Sequence, residues 1–133
     1  MNPIGREELK QAIDRGEVIL VDARSPEKFS KSHLPSALNI PAGHAAELAP
    51  QLIPDKNAAL VTYCVNFTWK LSEQLARELH ALGYKNVRIY EEGRQDWMNA
   101  GLPLDGSSPY EPVPRFQPSA TEAEAQERLK QVG

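Results

Sequence analysis

The chain has 133 residues, the size of one domain with a single core, and its 18 acidic against 15 basic side chains give a formal net charge of -3. It has no long basic run, so nucleic acid is not an expected partner, and its apolar runs of four to six residues are far too short to span a membrane. The start, MNPIGREELK, lacks the basic-then-apolar layout of a signal peptide, which makes a cytoplasmic protein the expectation. A single cysteine, Cys64, excludes an intrachain disulfide and a cysteine-based zinc site.

After Ile4, residues Leu9, Ala12 and Ile13 recur at helical spacing, and Gly16 stands where a helix C-cap would put it, which predicts a short opening helix. Val18 to Val21 form an uninterrupted β-branched and leucine run ending at Asp22, the pattern of a strand buried on both faces. Ser25 and Pro26 are a good N-cap and first-turn pair for a short helix through Phe29, which Pro35 must end at or before Leu34. Ala37 to Ile40 reads as a brief strand. From Pro41 onward Ala45, Leu48 and Leu52 share one helical face, in a helix that Pro50 and Pro54 keep short or irregular. Ala58 to Tyr63 is the next strand and leads directly into Cys64. Leu71, Leu75, Leu79 and Leu82 then hold one apolar stripe as far as Gly83, the clearest helix in the chain. Val87 to Tyr90 supplies a further strand, Glu91 to Gly93 a turn, and Gln95 to Ala100 a short helix closed by Gly101 and Pro103.

This alternation predicts an α/β domain with a central parallel sheet, and right-handed crossovers bring Asp22, Cys64 and the Glu91 to Gly93 turn to one edge of it. The domain is expected over residues 1–104. Residues 105–133 read as a Pro/Ser-rich linker and a tail, helical from residue 119, where Ser119 and Glu122 form a capping box. A thin stripe of Ala120, Ala123 and Leu129 favours a loosely docked tail over a dimer arm.

Two stretches carry a recognisable pattern. The first is VDARSPEKFSKSHLPSALNIP, with Asp22, Arg24, Glu27, His33, Pro35, Ala37, Asn39 and Pro41. The second runs from Tyr63 to Leu104, with Cys64, Gly83, Tyr84, Val87, Gly93, Trp97, Ala100, Gly101 and Pro103. Together they resemble a single-domain rhodanese. The resemblance implies a three-layer domain, its parallel sheet flanked by helices on both faces. It also implies a sulfurtransferase in which Cys64 accepts a sulfane sulfur from thiosulfate or a protein persulfide and passes it to a thiol or cyanide. No metal or organic cofactor is implied. The sequence departs from the family in the loop after the cysteine, which lacks the usual Arg and Gly. It also lacks the second cysteine that one subgroup often carries about where Trp69 stands, so a two-cysteine relay is excluded.

Transfer needs a thiolate, and the expected source of its stabilisation is backbone N–H groups between Val65 and Leu71, backed by the following helix N-terminus and by Lys70. Val65, Asn66, Phe67, Thr68, Trp69 and Lys70 are therefore the candidate substrate-binding residues, and Phe67 and Trp69 are expected to make the pocket partly apolar and to favour a bulky acceptor. Asp22 and Arg24 are supporting residues, read as an ion pair that fixes the loop after the first strand. His33, His44 and His80 are not general bases on this reading, Trp97 is core, and Glu91 and Glu92 point apart. Two other functions stay open. A phosphatase or arsenate reductase would use the Cys64 to Lys70 spacing, although Lys lacks the bidentate grip of Arg. A non-catalytic module would bind a partner or sense oxidants through Cys64.

Overall fold

Strands that are apolar on both faces belong in the middle of a sheet, and the two longest such runs lie side by side there. In the computed structural model, which describes residues 2–66 and 68–107, strand β2 (Ile19–Asp22) pairs in parallel with β4 (Ala59–Tyr63), Asp22 opposite Tyr63. On its other side β4 pairs in parallel with β5 (Asn86–Tyr90), with Tyr63 opposite Tyr90. Two short edge strands, β1 (Asn2–Pro3) beside β5 and β3 (Leu38–Asn39) beside β2, complete a five-stranded sheet in the order β1-β5-β4-β2-β3.

Alternation along the strands sends side chains to two separate cores. Val21, Leu60 and Ile89 meet helices α3 (Ala45–Leu52) and α4 (Leu71–Ala81) through Ala45, Ala49, Leu75 and Leu79. On the opposite face Leu20, Val61, Tyr63 and Tyr90 meet Leu9 of α1 (Arg6–Asp14), Phe29 of α2 (Pro26–Lys31) and Trp97 of α5 (Gly93–Asn99). The result is the three-layer α/β architecture that the pattern implies. Burying each of these large side chains contributes on the order of 2 kcal/mol. Trp97 is 2% exposed, meets Tyr90 edge to face and donates its indole N–H to Pro103 O at 2.8 Å, so it is core, as expected.

Three details differ from the sequence reading. Strand β1 is absent from it, because two residues, one of them a proline, carry no periodicity; Pro3 is tolerated on the sheet edge, where it need not donate. Leu52 is 44% exposed, and Ala45 and Ala49 provide the buried face of α3 in its place. Helix α5 begins at Gly93, two residues before its expected start, because its first free N–H groups find carbonyl partners in the Cys64 loop.

The chain stays on the domain past Leu104, which is buried. Asp105 and His33 form an antiparallel bridge, and Ser107 N–H bonds Ser30 O at 3.0 Å. The rest of the linker and the tail helix expected from residue 119 lie outside the described residues. Among the described residues no helix is long and apolar enough to cross a membrane.

Candidate functional site

Helices α2 and α4 leave the carboxyl ends of neighbouring strands toward opposite faces, which opens a crevice between β2 and β4, the position where open α/β sheets hold ligands. Asp22 and Arg24 stand on one lip of it and Cys64 on the other.

The β2 side is built around charge. Arg24 Nη2 lies 2.7 Å from Asp22 Oδ2, and Arg24 Nε and backbone N–H both reach Asp22 Oδ1, at 3.0 and 2.9 Å. Both residues are buried. Arg24 also donates to Ser32 O, so the pair clamps the β2 to α2 connection onto the end of α2. Burial works against the Arg24 charge, but the hydrogen bond and charge of Asp22 outweigh it and hold the guanidinium above its ordinary value, with Cys64 close enough to add to the effect. Burial pushes the Tyr63 phenol well above its usual range, the Asp22 charge reinforces this, and its oxygen accepts the Leu34 N–H at 3.0 Å.

The β4 side is the Cys64 loop, and it rests on α5. Arg94 N–H donates to Cys64 O and Gln95 N–H to Val65 O, both at 2.9 Å, while Asn66 Nδ2 donates to Gln95 Oε1 at 2.7 Å. Arg94 is itself buried, its Nε donating to Ser32 Oγ at 2.9 Å, which links α5 to the Arg24 clamp. Gly93 makes this contact feasible: its φ is +70°, and a Cβ there would lie 2.6 Å from Cys64 O and 2.7 Å from Val65 O, both backbone atoms with no freedom to yield. Gly93→Ala is therefore expected to lose about 2–4 kcal/mol in urea unfolding. Gly101→Ala, at a similar φ of +78° with nothing within 4 Å, should lose only the backbone cost of about 1–2 kcal/mol.

Cys64 is 1% exposed. Its Sγ lies 3.5 Å from Trp69 O, 3.5 Å from Ser72 Oγ and 4.0 Å from Asn66 O. These contacts differ from the expected cradle of amide groups. Asn66 takes up two of the loop donors: its side-chain oxygen accepts the Thr68 N–H at 3.0 Å and its carbonyl accepts the Trp69 N–H at 3.2 Å. Carbonyl oxygens beside sulfur suit a protonated thiol, which donates to them. Val65 and Asn66 are half-buried, Thr68, Trp69 and Lys70 are exposed, and Phe67 lies outside the described residues. Lys70 caps α4 without a side-chain cap bond.

A recess lined by Trp69, Lys70, Ser72, Glu73, Ile89 and Glu91 encloses about 20 Å³, room for little more than one water, and Cys64 does not line it. A larger groove of about 570 Å³ lies on the β3 side between Asn39, His44 and Leu71, and Cys64 is not among its lining residues. His33 stacks on Phe29 at 3.9 Å with Nδ1 2.7 Å from Phe29 O, while His44 and His80 are exposed. Among the described residues no group of His, Cys, Asp and Glu could hold a metal ion. Sequence reasoning missed Ser72, Thr62, Ser32 and Arg94. Only Thr62 left a trace, as a hydroxyl inside an apolar strand that has to find a partner.

The fold and site define an α/β domain presenting one enclosed thiol at a strand switch point. The chain belongs to the rhodanese-like domain family, whose profile matches residues 5–100. It is 33% identical over 106 residues to an HTH-type transcriptional regulator of Mycobacterium tuberculosis, covering 80% of this chain and 46% of that protein. It is 32% identical over 105 residues to a sulfurtransferase of Allochromatium vinosum, covering 78% of this chain and 94% of that one. The chain spans about half the length of several curated relatives, the Mycobacterium regulator (46%) and a Bacillus subtilis putative sulfur carrier protein (49%) among them. Among solved structures, a Bacillus halodurans protein superposes with a TM-score of 0.78 at 21% identity, over 96% of this chain and 89% of that one. An Escherichia coli rhodanese solved with anions gives a TM-score of 0.55 at 28% identity, over 66% of this chain and 96% of that one.

Proposed function

We propose that the protein is a sulfurtransferase that carries a sulfane sulfur as a Cys64 persulfide. The observation that carries this reading is the position of the thiol, at the end of the central strand β4, beside the buried Asp22 and Arg24 pair and in contact with a hydroxyl. Family membership and relatives named as sulfurtransferases support sulfur transfer in general. The finer reading takes thiosulfate or a protein persulfide as donor and a thiol or cyanide as acceptor, with no metal or organic cofactor.

With thiosulfate, the Cys64 thiolate attacks the outer sulfur. An Sγ–S bond forms, the S–S bond of the donor breaks, and its electron pair leaves with sulfite. Cyanide then takes the terminal sulfur as thiocyanate and regenerates the thiolate; a thiol acceptor leaves as a persulfide. On this reading Val65, Asn66, Phe67, Thr68, Trp69 and Lys70 are the residues that meet donor and acceptor. Cys64 is 1% exposed, so on this reading the loop opens during the cycle, and the peptide groups tied by Asn66 are free to turn their N–H groups toward the persulfide when it does. Asp22 and Arg24 hold the opposite lip still.

The enclosure of Sγ among carbonyl oxygens favours a second reading, a rhodanese-like module that binds a partner or senses oxidants without transferring sulfur. Intact mass separates the two. After mixing reduced protein with thiosulfate or a desulfurase-derived persulfide, sulfur transfer adds one sulfur atom that cyanide or a thiol removes. No gain with either donor would overturn the transferase and leave the module, or a phosphatase if a phosphate ester were cleaved in a parallel assay.

A further inference from the structure

A hydroxyl inside a buried strand has to find a partner. Thr62 is fully buried in β4, and its Oγ1 donates to Ser72 O at 2.9 Å. Thr62 and Cys64, two residues apart, point to the same side of the sheet, toward α4. Ser72 is the second residue of α4 and is 4% exposed. The Thr62 bond thus fixes the first turn of α4 against β4 and sets Ser72 Oγ at 3.5 Å from Cys64 Sγ.

Among the described residues, the chemistry of the three polar groups within 4.0 Å of the sulfur separates their roles. Trp69 O and Asn66 O accept from a thiol and repel a thiolate. A serine hydroxyl accepts from S–H and, by rotating its own proton, donates to S⁻. Ser72 is thus the neighbour of Sγ that serves both protonation states. The surrounding charges are Asp22 at the end of β2 and Arg24 after it, Lys70 and Glu73 at the start of α4, and Glu91 after β5; they shape the field without these contacts to the sulfur.

We infer that Ser72, held in place by Thr62, is a catalytic residue that donates a hydrogen bond to the Cys64 sulfur when it is anionic. Its role toward the persulfide rests on the sulfur-transfer reading, whereas its role toward the thiolate does not.

The test is alkylation of Cys64 by iodoacetamide, followed by intact mass, in the full-length reduced protein. It is run near pH 7, where a thiol is mostly protonated, and near pH 10, where it is mostly ionised. Ser72→Ala should slow alkylation about tenfold near pH 7, the worth of one hydrogen bond to an anion, and leave the rate near pH 10 within about twofold. Ser72→Thr, which keeps the hydroxyl, should restore most of the loss. Thr62→Val, which releases Ser72 without removing it, should slow the reaction near pH 7 by about threefold. Equal rates for Ser72→Ala and the parent at both pH values would overturn the inference. So would equal losses at both, which would mark a change in access to the sulfur. Alkylation uses no sulfur donor, so the outcomes stay distinct. A parent that gains no sulfur overturns the transferase and leaves the thiolate role of Ser72 intact, and a parent that gains sulfur while Ser72→Ala alkylates normally overturns the role of Ser72 alone.

Discussion

Cys64→Ser is expected to abolish sulfur uptake from thiosulfate and from a protein persulfide, a fall of at least about a thousandfold in transfer rate. With one cysteine in the chain no second thiol can take over. The change is small enough to leave the fold alone: a serine hydroxyl can keep the contacts with Trp69 O and Ser72 Oγ, and the Cys64 and Val65 carbonyls stay bonded to α5 through the backbone. Unfolding in urea should shift by less than about 1 kcal/mol, since no buried polar group loses its partner. The pairing of lost uptake with preserved stability is what separates a nucleophile from a cysteine that only fills space. A serine variant that still gained a removable sulfur atom would place the persulfide elsewhere, and that outcome contradicts the proposed mechanism.

Asp22→Ala is expected to cost about 3–5 kcal/mol, the largest stability effect among single changes near the site. The carboxylate receives the Arg24 guanidinium and the Arg24 backbone N–H, all within the buried crevice. Removing it strands a buried cation, which is far more harmful than deleting a whole pair. Asp22→Ala combined with Arg24→Leu should therefore recover much of the loss, and a cycle of the two single variants and the double variant in urea unfolding measures the coupling. Additive losses would show that the two side chains act separately. The consequence for chemistry is indirect. Arg24 reaches Ser32 O and Ser32 Oγ receives Arg94, so loosening Asp22 loosens the helix on which the Cys64 loop rests.

Much of this arrangement is legible in the chain. Val18 to Val21 and Ala58 to Tyr63 are apolar on every side, and only a central parallel strand has a use for that; Leu71, Leu75 and Leu79 can face only one way. From those three elements, and the handedness of crossovers, the meeting of Asp22, Cys64 and the Gly93 turn at one edge follows. What the sequence withholds is the direction of peptide groups and the pairing of polar side chains across elements. Thr62 and Ser72 are ten residues apart and become neighbours only because β4 reverses into α4. Arg94 looks like a surface residue of a short helix, yet Gly93 draws it inward beneath the loop. Asn66 gives no sign that it will tie up two of the amides expected to face the sulfur, those of Thr68 and Trp69.

The near-complete enclosure of the sulfur has a kinetic consequence. A reagent meets Cys64 only in molecules that have opened around the sulfur, so labelling is a two-step process of opening followed by chemistry, as in amide hydrogen exchange. At low reagent concentration the observed rate is the opening equilibrium constant multiplied by the intrinsic reactivity; at high concentration it levels off at the opening rate itself. The lone cysteine is thus a built-in clock for its own loop, and under the proposed sulfur transfer that clock would set an upper limit on turnover.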